Sequence, residues 1–188
     1  MRKFFSRALC GLLGTLVLGT SLGADPQGKP QLEKLKEQIE IFESVLNQSL
    51  TQAFGGPFAT LDRTRGAYLP GYGVVFAFEV NLSSWHDLGP FGSSTTPGNA
   101  SNERDEENRR REKAKLIAEE TLASYGQTLS QLGPNETIAI VIHTVAAHPN
   151  QVERSTIVLS SDKKLIDQRQ RQAIDQADFI RKLSTTQY

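Results

Sequence analysis

The chain has 188 residues, with 21 basic and 21 acidic side chains and a single cysteine. So even a balance offers no one-signed face for nucleic acid or another polyanion. One cysteine, Cys10, rules out a disulfide framework and any zinc or iron–sulfur site built on several thiolates.

The first element is an address. Met1-Arg2-Lys3 opens a short basic segment that includes Arg7, and an apolar stretch runs from Ala8 to Leu18. Ser21-Leu22-Gly23-Ala24 then supplies small residues ahead of Asp25 and Pro26. This is the pattern of a bacterial secretory signal peptide over residues 1–24, cleaved near Ala24, with the protein periplasmic or extracellular afterwards. The apolar stretch is too short for a transmembrane anchor. Cys10 sits too early to be an acylated lipoprotein cysteine. Cleavage removes Arg2, Lys3 and Arg7 and leaves 18 basic against 21 acidic residues and no thiol. About 164 residues remain, enough for one domain that buries roughly 70% of its unfolded surface. Neither a metal nor another cofactor is expected.

Residues 25–30 form a polar leader bearing Pro and Gly. From 31 to 54 the pattern is helical: Leu32, Leu35, Ile39, Phe42, Leu46 and Leu50 recur at three- and four-residue steps, and Gly55-Gly56-Pro57 ends the run. The stripe serves either as a packing face against the domain's own sheet or as a dimer seam, since its spacing approaches that of a coiled coil. Phe58 to Arg65 reads as a short edge strand, with a turn at Arg63, Arg65 and Gly66. Pro70-Gly71 is a type II turn signature. After it Tyr72, Val74, Phe76, Phe78, Val80 and Leu82 alternate on one face of a strand.

Residues 83–101 are rich in Gly, Pro, Ser and Thr and carry Trp85 and Phe91. A linker of this length inside a domain is commonly functional. Asn102 caps a second helix whose first half, to Lys115, is almost wholly charged. Its signs interleave, which suits a solvated face laced with ion pairs. An apolar stripe continues to Leu132, and Gly133-Pro134 stops the helix. Thr137 to Val145 is a strand apolar on both faces, hence central. His148-Pro149-Asn150-Gln151 turns the chain, and Val152 to Ser160 returns as a strand. Asp162 caps a final helix reaching Leu183.

The expected domain, residues 31–188, is therefore α+β. It has an antiparallel four-stranded sheet of two hairpins, with helices on one face, in the order αββαββα.

Few residues point to chemistry. Trp85-His86-Asp87 places a base beside a carboxylate and a stacking ring, yet adjacent side chains rarely address one substrate. His143 and His148 lie five residues apart across a strand end, a spacing that fits no metal motif. Tyr68 and Tyr72 flank the Pro-Gly turn and could wall a ligand, although hairpin geometry explains that turn by itself. No nucleophile-elbow, zincin, Walker or dinucleotide fingerprint is present. The reading that results is an exported, non-catalytic envelope interaction module, binding another envelope protein, or itself through helix 31–54. Two alternatives stand beside it. One is a small cofactor-free hydrolase using His86, Asp87 and His143; the other is a homodimeric structural protein.

Overall fold

A computed structural model describes residues 32–54, 60–83, 100–148 and 151–188. In chain order these hold helix α1 (Leu32–Phe54), strands β1 (Thr60–Leu69) and β2 (Gly73–Asn81), and helix α2 (Ala100–Tyr125). Strands β3 (Thr137–His148) and β4 (Gln151–Asp162), helices α3 (Lys163–Gln170) and α4 (Gln176–Lys182), and strand β5 (Ser184–Gln187) follow. The strands form one sheet in the order β1-β2-β3-β4-β5.

The class is α+β, but the sheet is mixed and five-stranded rather than antiparallel and four-stranded. β2 and β3 pair in parallel, with Gly73 opposite Thr137 and Asn81 opposite Val145. The cause is the 26-residue helix between them, which carries the chain back to the end where β2 began. The other three pairs, β1/β2, β3/β4 and β4/β5, are antiparallel. The fold is thus two hairpins joined along a parallel seam.

The helical layer lies on one face. Val74, Phe76, Phe78 and Val80 of β2 point into it, as do Ile138, Ile140 and Ile142 of β3 and Ile157 and Leu159 of β4. The α1 stripe meets them: Leu35, Ile39, Phe42, Leu46 and Leu50 are buried in the chain's own core, and the Phe42 and Phe76 ring centroids are 4.4 Å apart. Ala114, Ala118 and Leu122 of α2, Ile166 of α3 and Phe179 of α4 complete the same cluster. Of the six stripe residues, only Leu32, 65% exposed, remains outside it.

One local expectation holds and two change. The Pro-Gly turn is present, with Gly71 at φ +81° and Tyr72 N–H donating to the Leu69 carbonyl at 3.0 Å. No turn falls at 63–66, however. β1 runs straight through, with a bulge between Asp62 and Arg65. Gly66 is needed there because a Cβ would stand 2.6 Å from Ile39 Cγ2 and from Phe76 Cε1. The second helix ends at Tyr125, and a single 3₁₀ turn over Gly126–Thr128 carries the chain on to the buried Leu129 and Leu132.

The last helix is two helices and a strand, so the order αββαββα gains an extra α and β at its end. α3 closes in a Schellman motif: Ala173 N–H donates to the Gln168 carbonyl and Gln172 N–H to that of Arg169, with Gln172 at φ +58°. Asp175 then caps α4, its carboxylate accepting from Asp178 N–H at 2.7 Å.

Candidate functional site

Alternation along the strands leaves a second sheet face that no described helix covers. Pairing defines its rows, because residues directly opposite share a face. One row reads Arg65, Ala77, Val141, Val158 and Thr186 across β1 to β5. The row on one side of it is Ala67, Val75, Ala139, Ser160 and Ser184. The row on the other side holds Asp62, Glu79, His143 and Thr156, and Tyr188 beyond β5 exchanges backbone hydrogen bonds with Thr156. Val75, Ala77, Val141 and Val158 are half-buried by one another, and Ala139 is buried beneath its neighbours. The centre is therefore a flat apolar strip of short side chains, rimmed by Arg65, Glu79, His143 and Tyr188.

His143, read from the sequence as a catalytic candidate, stands exposed on this face. Its Nδ1 is 3.2 Å from Thr156 Oγ1, and Glu79 is its register neighbour on β2. Trp85, His86 and Asp87 lie outside the described residues, so their convergence with His143 is not part of this geometry. Tyr68 is committed to the scaffold. Its hydroxyl donates to Glu136 Oε1 at 2.8 Å, while Glu136 Oε2 accepts from Gly133 N–H at 2.6 Å. The hydrogen bond to Glu136, then burial and the carboxylate's charge, raise the Tyr68 pKa above the usual phenol value. Tyr72 is 43% exposed in the turn just before β2, and its carbonyl accepts from Thr137 N–H at 2.7 Å.

A second polar group sits at the C-terminal end of the parallel seam, where open α/β sheets often hold ligands. Ser83, Glu107, Arg110 and His148 meet there. Glu107 is buried, and its Oε1 lies 3.7 Å from His148 Nε2. Ser83 is not an activated nucleophile. Its Oγ accepts from Ala147 N–H at 2.6 Å and donates to the Ala147 carbonyl at 3.3 Å, and its own carbonyl accepts from Arg110 Nη1 at 2.8 Å. Both capacities of the hydroxyl go to backbone, which makes it a stitch between β2 and β3. No metal cluster of three or more His, Cys, Asp or Glu side chains exists among the described residues.

A third feature is a polar groove of about 840 Å³ between α1 and β1, lined by Glu40, Ser44, Asn47, Gln48, Asp62 and Arg63 among others. Its wall is structural. Asn47 Oδ1 accepts from Thr64 N–H at 2.9 Å and Glu43 Oε1 from Gly66 N–H at 2.6 Å. One turn apart on α1, these side chains occupy the outward amides of an edge strand, which would otherwise invite a stray strand to pair.

Comparison with known proteins found no matching family, no similar curated protein and no similar solved structure. Sequence reasoning missed the bare face. The signal for it was present in Val75, Ala77, Ala139, Val141 and Val158, but apolar residues on both faces of a strand do not say whether a helix covers each one. The described helices hold no stretch long and apolar enough to cross a membrane.

Proposed function

We propose that this chain is an exported, non-catalytic interaction module of the bacterial envelope and that it works through the bare face of its sheet. The observation that carries the reading is the apolar strip of Val75, Ala77, Val141 and Val158, with Ala139 beneath it, on a face that no described helix covers. A contiguous, half-exposed apolar patch with a polar rim is the ordinary mark of a protein-binding surface. Export rests on the basic, apolar and small-residue pattern of residues 1–24. Helix α1 is a poor alternative surface, because five of its six stripe residues are spent inside the core.

The test is a photo-crosslinking amino acid placed at position 141 or, as control, at Leu116 on the exposed side of α2. The reading expects a discrete protein adduct in cells from position 141 and none from 116. Adducts from neither position, or equally from both, overturn it. The mass of the purified chain gives a separate check on export: loss of residues 1–24 is expected, and an intact Met1–Ala24 segment overturns that part.

A further inference from the structure

We infer that the occupant of the bare face is the same face of a second copy of this chain, in a two-fold dimer whose axis runs parallel to the strands. The inference rests on the binding reading above and names its partner.

Side-chain size separates the two faces. The helix-covered face carries Phe76, Phe78, Ile138, Ile140, Ile142 and Leu159, large side chains that fill the curved gaps beside a cylinder. Two rows of the bare face, Arg65 to Thr186 and Ala67 to Ser184, hold nothing larger than Val or Thr inside Arg65, and the larger Glu79 and His143 stand in the row beside them. Short side chains suit a flat partner that approaches closely along its whole area, as in two sheets packed face to face. Four strands of about nine residues and the four-residue β5, at about 4.8 Å between strands and about 3.3 Å per residue, give a face of about 600–700 Å². Two such faces bury about 1,200 Å² or more, the lower bound of a stable interface. The width fits a second sheet, whereas a single helix would cover about half of it.

Charge selects the arrangement. With the axis parallel to β3, β1 lies over the partner's β5. Arg65 then meets the partner's Thr186, Ala77 the partner's Val158, and Val141 the partner's Val141. In the next row Glu79 meets the partner's Thr156, and His143 meets the partner's His143. With the axis perpendicular to the strands and along this row, β1 would lie over the partner's β1 and set two Arg65 guanidiniums against each other. Like charges facing across an interface suppress that register.

The experiment is sedimentation equilibrium of the purified chain from about 1 to 100 μM, a range that spans an interface of this size. The parent is expected to dimerise. Val141→Lys is expected to weaken association at least about tenfold by burying a cation on the axis. Because that strand is central, a second variant guards against misfolding. Thr186→Arg lies on the exposed β5, leaves the fold intact, sets a charge opposite the partner's Arg65 and weakens association similarly. Adding Arg65→Glu to Thr186→Arg is expected to restore the dimer, a rescue that only the strand-parallel axis provides. A parent that stays monomeric at the highest concentration overturns the inference, as does a dimer indifferent to both single substitutions. If the parent is monomeric while position 141 crosslinks to a different protein in cells, this inference falls and the binding reading stands. If position 141 also gives no adduct, both fall.

Discussion

Gln172 holds a backbone conformation that its side chain disfavours. At φ +58° it is the left-handed residue that ends α3, a position where glycine removes the clash between Cβ and the carbonyl. Relief of that clash exceeds the extra freedom glycine brings to the unfolded chain. Gln172→Gly is expected to stabilise the protein by about 0.5–1 kcal/mol, read as a higher urea midpoint with an unchanged slope. Glu119 offers a second single-residue test. Burial raises its pKa above the ordinary carboxylate value, with Lys115 at 3.8 Å partly opposing and Glu112 and Glu120 adding to the rise. The folded state therefore holds the proton more tightly than the unfolded one. Glu119 costs stability as pH rises through the carboxylate range, and the full cost is present at neutral pH. Glu119→Gln should raise the urea midpoint at pH 7 and make little difference near pH 3, where both states are protonated. An equal gain at both pH values would show that charge is not the cause. Tyr68 gives the same sign at the alkaline end. Its raised pKa means that its contribution is complete below the ordinary phenol value near 10 and is lost as pH rises beyond it. Tyr68→Phe should flatten that alkaline limb.

At the scale of elements, α1 does two jobs that its apolar stripe announces only in part. The stripe at Leu35, Ile39, Phe42, Leu46 and Leu50 follows helical periodicity and goes to the core, so its burial could be read from spacing alone. Glu43 and Asn47 look like ordinary polar positions, yet they saturate the Gly66 and Thr64 amides of the edge strand. Nothing in residue type distinguishes a solvated Glu from one that reaches a backbone amide 23 residues away. Asn47→Leu leaves the Thr64 amide without its partner and should cost about 1–3 kcal/mol. Hydrogen exchange at Thr64 should accelerate, while exchange at Ile140 in the sheet centre tracks only the global change. Other elements were illegible for comparable reasons. β5 is four exposed polar residues with no alternation to detect, held by antiparallel pairing with β4 just after the buried Leu183. The break between α3 and α4 contains no Gly or Pro, and its only local signal is the Asp175 cap. The parallel seam could have been inferred from the long helix between two strands, since a crossover of that length returns the chain to its starting end.

At the scale of the molecule, one core serves both hairpins. Phe76 lies on β2 beside the parallel seam, contacts the Phe42 ring of α1 and stands opposite Ile140 of β3. It also belongs to the single cluster that takes in Phe179 from the C-terminal helices. The two hairpins join through the seam, the Ser83 stitch to Ala147 and this cluster, so neither can lose its packing while the other keeps it. Phe76→Ala removes a fully buried ring and is expected to cost about 3–5 kcal/mol. With one shared core that cost should appear as a single shifted transition, with strand β1 and strand β4 losing amide protection together in native-state exchange. A hairpin that retained protection in the variant while the other opened would instead mean that the halves are separate cooperative units. The bare face would then rest on a scaffold able to slip along its seam. A rigid sheet is what the face-to-face pairing requires, because a shift of one residue between β2 and β3 moves Val75 and Ala77 out of line with Ala139 and Val141.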